Sequence, residues 1–269
     1  MSIGSMPSDW KKAYVTSIFK KGSASDPSNY RPISQTSIFS KLMERVTVVD
    51  IIEYLLNNGL LGTSQHGFLP KRSTLTNLIE CIDDWTLCID NKKLQSVIYI
   101  DFCKAFDSVS RPKLVAKLKS YGITGNLLDI INDFLSGRSQ RTRVGNCFSS
   151  TVYLSSGIVQ GSCLGPLLFL IYINDILTIF GDSVVSKLYA DDLKLYTVID
   201  STHDDALLQT ALDRLYEWAD AWQLKISIKK CQHLIIGNRA GLANTQHLSV
   251  YSVGRRASRA LGQLLTSEI

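Results

Sequence analysis

The chain has 269 residues, a formal net charge of +5, 45% apolar residues and 20% charged ones. Those values exclude a disordered chain and leave enough length to bury a sizeable core in one large domain or two small ones. The positive balance is mild, so it permits a polyanionic partner without requiring one.

From the start to about Arg31 the chain is polar and rich in Lys, Ser and Pro, and "SASDPSNYRP" reads as loop. A helix is predicted from about Ser37 to Asn57, stopped by "NNGL", and a second over Leu75 to Asp90. "QSVIYID" is a short β-branched run, predicted to be a buried strand ending at Asp101. "RPKLVAKLKSYG" has helical spacing with Gly122 as its C-cap, and Leu127 to Leu135 is a further helix. "RTRVGNCFSSTVYLSSG" alternates and breaks at Gly145, which predicts a β-hairpin. "GPLLFLIYINDIL" opens on Gly165 and Pro166, a helix start. Its apolar core is far short of the roughly 20 residues that span a bilayer. "SVVSKLYADDLKLYTVI" reads strand, tight turn, strand; Asp204 to Trp222 is an amphipathic helix, and "QHLIIG" a last strand. The mixture favours an α+β fold, a sheet with helices on one face.

The six cysteines contain no C-x-x-C pair, and no His stands at zinc-finger spacing from one. Free, mostly buried thiols in a reducing compartment are expected, with no secretory signal. Cys81 and Cys88 share one helical face as core, and His66 in "QHGF" reads as a loop hydrogen-bonder. Basic residues gather at Lys11, Lys12, Lys20, Lys21 and Arg31, and again at Arg138, Arg141 and Arg143. Each group taken alone reads as solvated surface.

Asp191 and Asp192 stand side by side at the predicted turn, where like charges repel unless something positive lies between them. Alone, "YADD" fits a solvated turn, and a strand-end Asp101 fits a loop cap. Two such signals, each on a strand, point instead to a shared cation. Hard oxygen donors suit Mg²⁺, and two ions about 3.5–4 Å apart would serve an in-line phosphoryl displacement.

"YIDFCKAFDSV", "SGIVQGSCLGPLLFLIYINDI", "LYADDLKLY" and "LKISIKKCQHLIIG" follow one another in this order. They resemble the palm motifs of reverse transcriptases of non-LTR (LINE-type) retrotransposons. "IFKKGSASDPSNYRPIS", "KLMERV" and "QHGFLPKRST" are similar to the fingers segments of that group. The resemblance runs from about Trp10 to Gly237.

It implies a right-hand polymerase with an antiparallel palm sheet backed by helices. Fingers would occupy 1–95, and palm 96–238 with an interleaved fingers segment near 111–155. The primer-grip and thumb region would begin in 239–269, and the tail "RALGQLLTSEI" resembles only its start, so the thumb is expected to be largely missing. Family members are longer, with an endonuclease before the polymerase. The implied activity is RNA-directed DNA polymerisation with two Mg²⁺ ions, for which Mn²⁺ can substitute. The implied partners are an RNA template, a DNA primer and deoxynucleoside triphosphates, with no membrane and no identified protein partner. An intracellular location is expected, nucleus or cytoplasm.

By the same resemblance Asp101, Asp191 and Asp192 form the acidic cluster, and the Phe102 peptide oxygen completes one metal shell. Phe106 packs under the sugar and excludes a 2′-hydroxyl. Gln160 and Gly161 approach the nucleotide or template base. Arg31 meets the incoming base and triphosphate, and either Lys20 or Lys21 the γ-phosphate. Lys230 matches a lysine that protonates the leaving pyrophosphate. Asp107 resembles a second acidic position assigned to a hydrogen-bonded turn. Val159, Gln35 and Ser227 depart from the family's usual proline, aliphatic residue and asparagine. A truncated or co-opted element remnant that binds nucleic acid without catalysis is the competing reading. Another palm-fold nucleotidyltransferase or cyclase is the third, and the fingers motifs argue against it.

Overall fold

The structure is a computed structural model that describes residues 5–199, 202–237 and 249–252. In chain order the elements are β1 (Lys12–Phe19), β2 (Tyr30–Gln35), α1 (Ile38–Asn57), α2 (Thr74–Asp90), β3 (Leu94–Ile100), α3 (Ala105–Ser108), α4 (Arg111–Ser120) and α5 (Gly125–Leu135). Then come β4 (Ser139–Val144), β5 (Cys147–Phe148), β6 (Val152–Tyr153), α6 (Leu164–Ile173), β7 (Val185–Tyr189), β8 (Asp192–Ile199), α7 (Thr202–Trp222), β9 (Gln232–Ile236) and β10 (Ser249–Ser252). The rest of the segment 239–269, expected to begin the primer grip, lies outside the described residues. Two compact units form: Met1–Leu61 with Phe106–Tyr172, and Gly62–Ala105 with Ile173–Ile269.

In the first unit β1 pairs antiparallel with β2 and parallel with β4, and β4 carries β5 and β6. The polar start holds a strand the sequence reading did not assign, β1, while "SASDPSNYRP" forms turns as far as Asn29 and enters β2 at Tyr30. In β1, Ala13 and Val15 point inward while Tyr14 and Ile18 stay exposed. The partner that fixes it, β4, is remote in sequence, so only tertiary pairing reveals the strand. Asp133 of α5 accepts from Met6 N (2.6 Å) and Lys11 Nζ (2.6 Å), which ties the N-terminal segment down. The apolar run of α6 is buried from Leu167 through Ile173, as a helix apolar on every side must be. Its N-terminus is capped from α1 by the fully buried Glu44, which accepts from Cys163 N (2.6 Å) and Leu164 N (3.1 Å). Buried Arg138 donates to Phe134 O (2.9 Å) and Trp10 O (3.3 Å), and burial draws its pKa down to about 10, so it stays charged at neutral pH.

The second unit is built on an antiparallel sheet of order β10-β9-β3-β8-β7. Ser73 and Thr76 close a capping box at the start of α2. Cys81 of α2 packs with Val97, Tyr196, Leu234 and Ile236 on one face of the sheet. By the two-residue period of a strand, Ile98, Ile100, Leu193 and Leu195 occupy the other face, and they are buried too. Helix α7 packs against β8, and its Trp218 meets Phe102 just past β3. Both faces are therefore covered, where helices on one face were expected. The cause is the near-continuous apolar character of β3 and β8, which one covered face would leave half exposed. All six cysteines are free thiols; Cys81, Cys88 and Cys231 are buried and Cys147 is exposed. No helix among the described residues is long and apolar enough to cross a membrane.

Candidate active site

In the second unit the β3–β8 register ends at Ile100 opposite Leu193. Extended one step, that register sets Asp101 beside Asp192. Residues directly opposite in an antiparallel pair hold their Cβ atoms about 5 Å apart. Asp101 and Asp192 line one cavity of about 410 Å³ with Asn77, Tyr99, Lys194 and Lys230. Loss of surrounding water pushes the Asp192 carboxyl above its ordinary value, and the Asp101 charge pushes it further, while Lys194 pulls it back. Asp191, half-buried in the turn, is not part of that cavity wall.

The peptide around Phe102 is aimed by a second ladder. Cys103 N donates to Lys225 O (2.7 Å), and Ser227 N to Asp101 O (2.7 Å). Phe102 bridges Ile226 between those bonds. By antiparallel alternation its own carbonyl turns away from Ile226, toward the β8 side of the strand. Lys230 follows in a 3-10 turn and places Nζ 3.2 Å from Asp101 Oδ1. Lys194, two residues past Asp192 on the same face, is buried and donates to Asn77 Oδ1 (2.6 Å).

Among the described residues no three His, Cys, Asp or Glu side chains form one ligating group. The donors present still fit a divalent cation of the hard kind. Asp101 and Asp192 line one cavity, and the Asp101 charge adds to burial in raising the proton affinity of Asp192, a repulsion that a cation relieves. Mg²⁺ takes the rest of its ligands from water and substrate phosphates. Asp101, Asp192, Asp191 and the Phe102 carbonyl are the oxygens at hand.

The turn itself is held from beneath by "QHGF". Ala190 has φ +56°, a left-handed conformation that costs a residue with a Cβ about 1–2 kcal/mol. Buried Gln65 accepts from Ala190 N (3.0 Å) and Gly67 N (2.6 Å) through one oxygen. Leu188 N donates to Ser64 O (2.9 Å), and His66 N to Leu188 O (2.8 Å). The His66 ring bonds Thr76 Oγ1 (2.9 Å) and lies 3.3 Å from Glu80, the loop role expected of it; burial lowers its pKa. Sequence reasoning missed Gln65 and Lys194. Lys194 carried a signal, a lysine at an apolar strand position, whereas Gln65 carried none beyond its motif.

In the first unit the strand registers put Arg31, Ile18, Tyr14, Arg141 and Arg143 on one face, with Phe148 and Tyr153. These residues are exposed, Tyr153 by 78%. Tyr14 and Phe148 touch at 5.3 Å between centroids, and the Arg141 guanidinium lies 5.2 Å over the Phe148 ring. Lys20 N still bonds Asn29 O (2.8 Å), so Lys20 continues the ladder on the Arg31 face, and Lys21 begins the turn. The Phe106 ring is half-buried and stacks on Phe169 at 4.4 Å. Gln160 Nε2 donates to Asp107 Oδ1 (3.0 Å), which gives Asp107 the hydrogen-bonded place expected of it. Gly161, φ +104°, has an internal reason to be glycine: a Cβ would stand 2.4 Å from Ser34 O.

The family model described as "Reverse transcriptase (RNA-dependent DNA polymerase)" matches residues 18–262. The RNA-directed DNA polymerase from mobile element jockey of Drosophila melanogaster is 28% identical over 90% of this chain and 27% of its own length. The probable RNA-directed DNA polymerase from transposon X-element of the same species is 28% identical over 85% of this chain and 26% of its own. The Pol polyprotein of retrotransposable element R2 from Popillia japonica is 26% identical over 89% of this chain and 34% of its own. The chain thus spans about a quarter to a third of the length of these relatives. In fold it is similar to apo telomerase from Candida tropicalis truncated from its C-terminal domain, with a TM-score of 0.62 at 12% identity, covering 90% of this chain and 55% of that one. With the acidic strand ends, the YADD turn and the mixed antiparallel architecture in place, the chain belongs to the reverse transcriptase (RNA-dependent DNA polymerase) family, as a domain of the non-LTR retrotransposon kind.

Proposed function

We propose that the chain is the polymerase domain of its element, adding deoxynucleotides to a primer 3′-hydroxyl on an RNA template. The observation that supports this most is the β3–β8 register, which continues into Asp101 beside Asp192. Asp101, Asp191, Asp192 and the Phe102 carbonyl would hold two Mg²⁺ ions. When bound, such ions supply charge neutralisation and a more nucleophilic hydroxyl. The chain's own residues position the reactants, which is most of what phosphoryl transfer requires. Lys230, already beside Asp101, serves as the proton donor to the departing pyrophosphate. Arg31 meets the triphosphate, and Lys20 rather than Lys21 joins it, because the ladder carries Lys20 onto the Arg31 face. Phe106 packs under the sugar, with Gln160 and Gly161 at the nucleotide or template base. The exposed arginines and aromatic rings of that sheet face suit a single-stranded polyanion, since rings stack on bases whatever their identity. The fingers and palm would follow the boundaries inferred from sequence.

The test is primer extension on an RNA template with Mg²⁺, comparing the chain with its Asp191→Asn variant. Extension that the substitution abolishes supports the reading. RNA binding with no extension at any Mg²⁺ or Mn²⁺ concentration replaces it with the non-catalytic one.

A further inference from the structure

The motif "QHGFLPKRST" marks the family but has no part in the chemistry assigned above. Its place in the fold gives it one. β7 and β8 end on the pair Tyr189 and Asp192, so Ala190 and Asp191 alone make the turn. Ala190 occupies the left-handed position where such hairpins favour glycine. Nothing in the two turn residues accounts for that conformation. The loop beneath them does. One buried amide oxygen, on Gln65, receives both Ala190 N and Gly67 N. Gly67 lets the loop come that close, because a Cβ there would stand 2.3 Å from Ala190 N. Gln65 also bridges Leu188 as a short parallel rung. The loop is fastened in turn to α2 through the His66 ring, which bonds Thr76 Oγ1 and lies 3.3 Å from Glu80.

We infer that Gln65 is a positioning residue: its oxygen holds the Ala190 peptide in the left-handed state and so presets the directions of Asp191 and Asp192. This rests on the reading of those aspartates as metal-holding carboxylates. A rotation of the Ala190 peptide re-aims both side chains, whereas looser packing elsewhere in the core would leave them in place.

The experiment uses the full chain with Gln65→Leu, Gln65→Glu and the double variant Gln65→Leu with Ala190→Gly. Hydrogen exchange is followed in peptides covering 188–195, with primer extension against Mn²⁺ concentration as the second readout. Gln65→Leu should speed exchange at the turn about tenfold, leave β3 and β9 protected, and raise the half-saturating Mn²⁺ concentration several-fold. Gln65→Glu keeps an acceptor oxygen for both N–H groups but loses the Nε2 donor that lies 3.5 Å from Ala190 O, so it should restore slow exchange in part. Ala190→Gly should partly restore the Mn²⁺ response, since glycine adopts the left-handed state unaided. Unchanged exchange at the turn in Gln65→Leu overturns the inference, as does a uniform rise across all core peptides. Should Gln65→Leu not fold, slow turn exchange in Gln65→Glu supports the inference and fast exchange overturns it. Local loosening in Gln65→Leu, with no extension by the parent chain, supports the brace and overturns the polymerase reading.

Discussion

Replacing Asp192 by Asn should make the metal-free protein more stable. Asp101 and Asp192 extend a paired register, which sets their Cβ atoms about 5 Å apart on one face and their charges on the order of 6 Å apart. Two like charges at that distance repel by about 0.7 kcal/mol in a water-like dielectric and about 3 kcal/mol at ε ~20. Asp192 is exposed, and Lys230 already sits 3.2 Å from Asp101, so the lower part of that range applies, about 1 kcal/mol. Asp192 is the better residue to change, because Asp101→Asn would also break the Lys230 pair. The pH dependence follows from the direction of the shift. The folded carboxyl holds its proton more tightly than the unfolded one, whose ordinary value is 3.8. Protonated Asp192 thus favours the fold fully below that value, and the advantage is lost as pH rises through the folded-state value. Asn imitates the protonated form. Its gain should appear at pH 7 and vanish near pH 3. Mg²⁺ should cancel it too, by neutralising the pair in the parent chain. Urea unfolding with chelator, at both pH values and then with Mg²⁺, measures all three. Equal stability at pH 7 without metal would refute the placement of Asp192 beside Asp101, and a gain that persists at pH 3 would refute the electrostatic cause.

Changing Arg141 and Arg143 to Ala should weaken single-stranded RNA binding and flatten its dependence on salt, by about 0.7 in the log–log slope for each phosphate no longer neutralised. Titrations at several salt concentrations read this directly; an unchanged slope means that the sheet face does not meet RNA. Glu44→Ala leaves Cys163 N and Leu164 N without their acceptor inside the protein, and orphaned buried donors cost about 1–3 kcal/mol each. Denaturant unfolding should show a loss of about 3 kcal/mol, and a smaller one for Glu44→Gln, which keeps an amide oxygen.

The strand ending at Asp101 and the hairpin carrying YADD were legible because both are local patterns, a β-branched run and a two-residue turn. Helices α1, α2, α4, α5 and α7 were legible for the same reason, from apolar spacing and from Gly and Asn stops. Motif order identified the family. Strand β1 escaped notice because its lysines and serines mask an inward alternation that matters only once β4 lies alongside. That Lys20 rather than Lys21 shares the Arg31 face was not legible either, because it depends on the tertiary register of β1 with β2.

By itself the sequence offered Asp101 at a strand end and the Asp191–Asp192 pair at a tight turn as candidates, since those patterns depend on neighbours a few residues away. Only the tertiary structure decided that Asp101 lies beside Asp192, that Gln65 supports the left-handed Ala190, and that Glu44 caps a helix begun more than a hundred residues later. Each of these joins segments far apart in the chain. Which distant partner a strand or a buried polar group finds is settled by the packing that leaves the fewest donors and acceptors unmet, and no local pattern records that outcome.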